Sequence, residues 1–160
     1  MNVVPYNRMA AFRYAEAWAL YRNPEYFDFS EIGGDCTNFV SQCLYAGSGV
    51  MNFAQHNGWF YNNLNDRAAA WTSVEALFRF LTTNRGPGPF GHETVKNEIY
   101  AGDVIQLGKS DGTFYHSLFV LDYSPPAVYV AAHSYDALWR ELSTYDAAEI
   151  RYIHIDGVRK

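Results

Sequence analysis

The chain has 160 residues, the length of one domain, and 49% of them are hydrophobic, which is enough for one sizeable core. Its 12 basic and 17 acidic residues give a formal charge of −5, and no block of Lys or Arg is present. This balance excludes the basic surface that binds a nucleic acid backbone or an anionic membrane. We therefore expect one domain, residues 1–160, with no nucleic acid partner.

The sequence contains no stretch of roughly 18 apolar residues, the length that a membrane span requires. The segment Met1 to Arg8 also lacks the charged and apolar regions of an export signal. We expect a soluble domain without a membrane span. The sequence assigns no compartment: we expect a cytoplasmic protein as the sequence stands, or an excised domain of an exported or spore-associated protein.

Three segments in the first half have the apolar period of a helix. The first runs from about Asn7 to Tyr21, and the second starts near Cys36 and stops at Gly47 to Gly49. The third covers Val74 to Leu81, with Thr72 or Ser73 as its cap.

The second half contains short runs rich in Val, Ile, Tyr and Phe, separated by turn residues. These runs are residues 103–107, 115–123, 127–132 and 150–155. Helices followed by strands predict an α+β domain, in which N-terminal helices pack on one face of a C-terminal antiparallel sheet.

Cys36 follows the pair Gly33-Gly34 and lies in the first turn of the second predicted helix. The helix dipole and the unpaired N–H groups of a first turn stabilise a thiolate, and the same N–H groups can bind an oxyanion. A nucleophile is one interpretation; a small buried hydrophobic residue is the other. Cys43 lies deeper in the same helix, about 10 Å further along its axis, so no disulfide joins the two and Cys43 is expected to be an inert core thiol.

A cysteine nucleophile needs a base, and two of the five histidines lie at the ends of two predicted strands that follow one another in the chain. We interpret the other three, His56, His92 and His154, as structural. His116 begins one strand, and His133 ends the next. Neighbouring antiparallel strands bring such positions together, so the pair fits a base and the residue that orients it. Taken singly, each is more often a structural histidine. No spacing typical of zinc ligands occurs, and we expect neither a metal nor a cofactor.

The stretch 51–70 is rich in Asn and aromatics, has no period, and reads as a long surface loop. Trp59 and Tyr61 lie in it and Trp71 follows it, so we assign these rings to a substrate cleft or a lid. The alternative, a loop held to the core by its own aromatics, stays open. Asp35, directly before the nucleophile, is also assigned to substrate binding.

Five segments together resemble the bacterial putative amidase domain family, which is related to the NlpC-type and CHAP cell-wall peptidases of the papain-like superfamily. These segments are Tyr6 to Arg8, Gly33 to Leu44, Trp59 to Tyr61, Gly102 to Gln106 and Ala132 to Ser134. The resemblance covers nearly the whole chain.

The resemblance implies a papain-like fold of the NlpC type, with Cys36 as nucleophile, His116 as general base and His133 as its orienting residue. Where papain has a Gln as an oxyanion donor before its cysteine, this chain has only Phe29 and Ser30. The second oxyanion donor is therefore unassigned.

We expect a cysteine hydrolase of peptide or amide bonds that acts through a thioester. A peptidoglycan peptide as the substrate follows from the resemblance alone. Two alternatives remain: a catalytically silent module that binds wall or peptide ligands, and an acyltransferase that uses the same acyl-enzyme.

Overall fold

A computed structural model describes residues 1–160 as four α-helices and nine antiparallel strands. In chain order the elements are β1 (Val3–Val4), α1 (Arg8–Trp18), α2 (Cys36–Ser48), β2 (Tyr61–Asn63), β3 (Asp66–Arg67), α3 (Ala69–Thr72), α4 (Val74–Thr83), β4 (Gly88–Thr94), β5 (Val104–Gly108), β6 (Phe114–Ser124), β7 (Ala127–Ala132), β8 (Ala137–Glu141) and β9 (Glu149–Arg159). Short 3-10 helices occupy Lys96–Glu98 and Leu142–Thr144. None of the helices is long and apolar enough to cross a membrane.

The helix ends follow from local capping. The side chain of Asn7 accepts a hydrogen bond from the Ala10 N–H at 3.0 Å and starts α1. α2 ends where Gly49 takes φ +68°, a left-handed conformation that glycine adopts without strain. Ser73, and not Thr72, caps α4 through the Ala76 N–H. These three helices lie where the sequence period predicts them.

The main sheet has seven strands in the order β1-β9-β5-β6-β7-β8, and β4 also pairs with β9. The four predicted strands form its centre as β5, β6, β7 and β9. The sequence pattern does not reveal β1, β4 or β8. β4 begins Gly88-Pro89, a turn-like pair, and β8 contains Trp139 at φ +58°, which interrupts an extended pattern.

The sheet separates two hydrophobic cores. Alternate residues of β6 show the division: Phe119 and Leu121 pack in the larger core with the helices, whereas Leu118 and Val120 face a smaller core on the other side. The segment around residues 142–147 covers this smaller core. All four helices therefore lie on one side of the sheet and only irregular chain on the other.

The stretch 51–70 is not the surface loop that its sequence predicts. A bridge joins Asn52 to Trp59, and β2 pairs with β3 in a short hairpin. Trp59 is fully buried, and its ring centroid lies 4.8 Å from that of Trp71 and 5.6 Å from that of Phe80. The aromatics hold this segment to the core.

We predict that Trp59→Ala lowers the free energy of unfolding by about 3 to 5 kcal/mol, because it empties a large, fully packed volume. Chemical denaturation measures this change, with Trp139→Ala as the control because that ring is 43% exposed. Equal losses in the two variants would contradict the burial of Trp59.

Candidate active site

A cavity of about 340 Å³ opens at the N-terminus of α2. Residues 33–36 form one wall, residues 115–116 at the start of β6 form another, and residues 134–135 with Arg140 and Tyr145 close the third. The cavity thus contains Cys36 and His116, which are 80 positions apart in the chain.

The backbone before Cys36 is held in an unusual shape. Gly33 and Gly34 have φ of +79° and +98°, so a side chain at either position would be strained even though open space surrounds both. Cys36 follows at the first position of α2. Its backbone N–H has no hydrogen-bond partner in the protein and is free to bind an oxyanion.

Asp35 anchors this turn from inside the protein. Its carboxylate accepts hydrogen bonds from the Phe29 N–H at 2.8 Å, the Asn38 side-chain amide at 2.9 Å and His133 Nδ1 at 2.6 Å. It is 1% exposed. The assignment of Asp35 to substrate binding is therefore corrected: its oxygens already have partners, and it fixes the start of α2.

The local sequence predicts a lowered pKa for the Cys36 thiol, but the structure gives the opposite direction. Burial raises its pKa and is the largest effect. The Ser117 N–H and the Thr37 hydroxyl favour the thiolate and offset part of this effect. The resting group at neutral pH is thus a thiol, which must lose its proton as it attacks. Burial raises the pKa of Cys43 further, in keeping with an inert core residue.

A buried hydrogen-bond chain with a fixed direction runs toward the thiol. Arg151 donates to Gln106 Oε1 from Nε at 2.9 Å and from Nη2 at 2.6 Å. Arginine has no acceptor, so these bonds fix the orientation of the Gln106 amide. Gln106 Nε2 then donates to the Val74 carbonyl at 3.0 Å and to Ser117 Oγ at 3.2 Å.

Two hydroxyl groups continue this chain of hydrogen bonds with the same donor-to-acceptor direction. Ser117 Oγ accepts from Gln106, and its own proton has Thr37 Oγ1 as a partner at 2.9 Å. The Thr37 proton is then left to point at Cys36 Sγ, 3.7 Å away. The opposite direction would leave the buried Ser117 proton without an acceptor. The chain therefore presents a donor to the sulfur, which stabilises negative charge there.

His116 is available as a base. Its ring nitrogens have no hydrogen-bond partner in the protein, and they are not among the buried unpaired atoms, so they are accessible. Burial lowers its pKa to about 4, and the charge of Arg140 adds to the effect. The imidazole is neutral at pH 7 and able to accept a proton.

The cavity lies at one end of the sheet and is lined by residues from both of its faces. Ser117 bonds to Thr37 on the helix side, whereas the neighbouring His116 ring lies 6.1 Å from the ring of Tyr145, on the side of the smaller core. No hydrogen bond joins Cys36 Sγ to a nitrogen of His116. Catalytic hydrogen bonds are often longer before substrate binds, and a substrate fills the intervening cavity.

His133 does not contact His116. Its Nδ1 faces Asp35, and its Nε2 lies 2.9 Å from the Trp18 carbonyl oxygen and 3.2 Å from Arg22 Nη1. The pairing of Phe119 with Ala131, continued by two residues, puts Ser117 opposite His133. His116 therefore projects to the other face. In this structure His133 orients Asp35 and the start of α2.

Arg22 joins this network, and the sequence pattern does not single it out. It binds Asp136 through two hydrogen bonds of 2.9 Å and approaches Asp28 at 3.2 Å. These contacts tie the turn after β7 to the chain after α1. Asp136 is thus engaged with Arg22 and is not a partner of His116.

The other three residues assigned to substrate binding lie outside the cavity, which is a correction. Trp59 and Trp71 are fully buried, and their ring N–H groups donate to Ser41 Oγ and Asn38 Oδ1, both at 3.0 Å. Tyr61 is 9% exposed, and its hydroxyl accepts from a backbone N–H. Aromatic rings buried with satisfied polar groups are structural.

The rings that do line the cavity are Tyr115, Tyr135 and Tyr145. Tyr115 and Tyr135 are 42% and 94% exposed. No group of three or more His, Cys, Asp or Glu side chains in the protein is placed to hold a metal ion.

Comparison with known families gives a match over residues 5–155 to the model of a putative amidase domain. The chain belongs to this family. The match includes Cys36, His116 and every residue that lines the cavity. No solved structure matches the chain.

Two curated relatives of the putative amidase domain come from Bacillus subtilis (strain 168). The uncharacterized protein YhbB is 32% identical over 155 residues, which is 92% of this chain and 49% of that protein. The uncharacterized protein YjcM is 28% identical over 162 residues, which is 95% of this chain and 37% of that protein. The chain thus spans half or less of the length of these relatives.

We predict that Thr37→Val slows alkylation of Cys36 by iodoacetamide at pH 7 by about threefold to tenfold, because the thiolate loses one hydrogen-bond donor. The midpoint of the pH–rate profile should rise as well. Thr82→Val on α4 is the matched control. An unchanged midpoint in Thr37→Val would show that the buried chain does not reach the sulfur.

The partly buried imidazole of His116 should make the stability of the protein depend on pH. The pKa of His116 is about 4 in the folded protein, against an ordinary value of 6.5. Between these pH values the unfolded chain binds more protons, so the free energy of unfolding falls as pH falls. From pH 7 to 4 we expect the wild type to lose about 3 kcal/mol more than His116→Gln does. Urea unfolding at both pH values measures this, and equal losses would exclude a buried neutral imidazole.

Proposed function

We propose that this protein is a cysteine hydrolase of amide bonds, with Cys36 as its nucleophile and His116 as its general base. The supporting observation is that one cavity contains both a thiol at the first position of a helix and an accessible neutral imidazole. Membership of an amidase family agrees with this chemistry.

In the first step, Cys36 Sγ attacks the carbonyl carbon of the substrate as its proton moves to His116. A C–S bond forms, and the carbonyl oxygen becomes an oxyanion. The backbone N–H of Cys36 is placed to stabilise this charge. Because burial raises the pKa of the thiol, deprotonation and attack are coupled.

Collapse of the tetrahedral intermediate breaks the C–N bond. The imidazolium of His116 gives its proton to the leaving amine, and a thioester remains on Cys36. Neutral His116 then takes a proton from water, and the hydroxide adds to the thioester. The C–S bond breaks, the acid leaves and the thiol recovers its proton.

We further propose that the fold is papain-like, of the NlpC type, and that the substrates are peptides of the bacterial cell wall. The support is the resemblance of the segment around Cys36 to NlpC-type and CHAP peptidases, together with helices on one side of an antiparallel sheet. His133 then acts by positioning Asp35 and the first turn of α2.

We predict that an activated amide or acyl probe forms a covalent adduct on Cys36 and not on Cys43, because burial leaves Cys43 without access. Mass spectrometry of the digested protein locates the adduct. Cys43→Ala should retain the adduct and Cys36→Ala should lose it. Equal labelling of both cysteines in the folded protein would contradict the proposal.

The base is tested in the same assay. His116→Ala should slow acylation by about 100-fold or more, the usual contribution of a general base.

Adding an amine acceptor separates hydrolysis, which yields only the acid, from acyl transfer, which yields a new amide.

A further inference from the structure

The cavity contains one charge that no other group of the protein neutralises, and this charge is positive. Arg140 is its only Lys or Arg side chain, and Asp35 is its only carboxylate. Asp35 is buried and accepts three hydrogen bonds, whereas Arg140 makes no salt bridge with any acidic side chain. His116 adds no positive charge at neutral pH. A bound ligand would therefore meet an unneutralised guanidinium.

Arg140 is held in place before any ligand arrives. Its Nε donates to Thr144 Oγ1 at 2.8 Å and its Nη2 donates to the Thr144 carbonyl at 3.0 Å. The guanidinium carbon also lies 3.6 Å from the ring centroid of Tyr145. A guanidinium fixed in this way loses little conformational entropy when it binds an anion.

The cavity contains hydrogen-bond donors that have no partner in the protein. Arg140 Nη1 has no hydrogen-bond partner. The side chain of Tyr145, which packs against this guanidinium, also lines the cavity. On the opposite wall, the N-terminus of α2 presents the free N–H of Cys36. Donors without acceptors are typical of a site that binds an anionic oxygen.

We propose that Arg140 binds a carboxylate of the substrate, so that the preferred substrates are amides or peptides with a free carboxylate close to the scissile bond. This inference rests on the proposed function. A cavity of about 340 Å³ is roughly 7 Å across and holds about two extended residues. The carboxylate thus lies within one or two residues of the carbonyl that Cys36 attacks.

Two small alkylating agents can test whether Arg140 attracts a carboxylate to the cavity, and this test does not require the substrate to be known. Iodoacetate carries a carboxylate and iodoacetamide does not, yet both transfer a similar group to the same sulfur. The ratio of their rates on Cys36 cancels any change in the thiolate fraction. In Arg140→Gln, we expect the iodoacetate to iodoacetamide ratio to fall by about threefold to tenfold, the effect of one nearby charge under partial screening.

Two further variants complete the test. Arg140→Lys keeps the charge and should retain at least part of the ratio. Arg85→Gln removes the same charge from an exposed position outside the cavity and should leave the ratio unchanged. Raising the salt concentration should lower the wild-type ratio toward that of Arg140→Gln.

The outcomes separate the two proposals. If Cys36 reacts well ahead of Cys43 but the ratio is the same in wild type and Arg140→Gln, the carboxylate inference is wrong and the proposed nucleophile stands. If Cys36 reacts with neither reagent ahead of Cys43, the proposed function fails, and the inference that rests on it fails too.

Discussion

The buried carboxylate of Asp35 is the constraint on which the site depends. A carboxylate is costly to bury unless its oxygens are fully hydrogen-bonded, and here three donors from three parts of the chain meet it. Phe29 comes from the segment before the glycine pair, Asn38 from α2, and His133 from the position directly after β7. One charge therefore locks together the pieces that place Cys36 at the mouth of the cavity.

Two polar networks flank the first turn of α2, and each includes an arginine. On one side, Arg22 binds Asp136 and lies near His133 and Asp28. On the other, Arg151 fixes Gln106, and through it the hydroxyl groups that reach the sulfur. The first network sets position, because it holds backbone segments. The second sets electrostatics, because its direction is defined by a residue that can only donate.

Much of the architecture follows from periodicity. The apolar spacing of α1, α2 and α4 and the β-branched runs of β5, β6, β7 and β9 were sufficient to place those elements. β4 and β8 were not predictable, since a Gly-Pro start and a left-handed Trp139 hide their extended conformation. Trp59 and Trp71 do not belong to a periodic apolar pattern. Their rings fill space between separate segments of the chain and do not form the apolar face of one helix or strand.

The site was predictable to a lesser degree. The glycine pair and the helix start identify Cys36, and the strand start identifies His116. The sequence indicates that two strands are adjacent, but it does not determine which face of the sheet each side chain occupies. The predicted contact between His133 and His116 is therefore absent, because the register of the sheet places the two side chains on opposite faces. Arg22 and Arg140 carry no local signal at all. Their importance comes from contacts or cavities formed by distant parts of the chain.

The position of β9 has a consequence for how the protein folds. This strand, which starts at Glu149, pairs with β1, with β4 and with β5, so it joins the earliest strand of the chain to the centre of the sheet. Pairings between residues so far apart close large loops, and folds that depend on them assemble slowly. During synthesis, β1 and β4 have no sheet partner until the ribosome has released residues 149–159. Until then the nascent chain exposes unpaired strand edges, and in that interval it is open to aggregation or to chaperones.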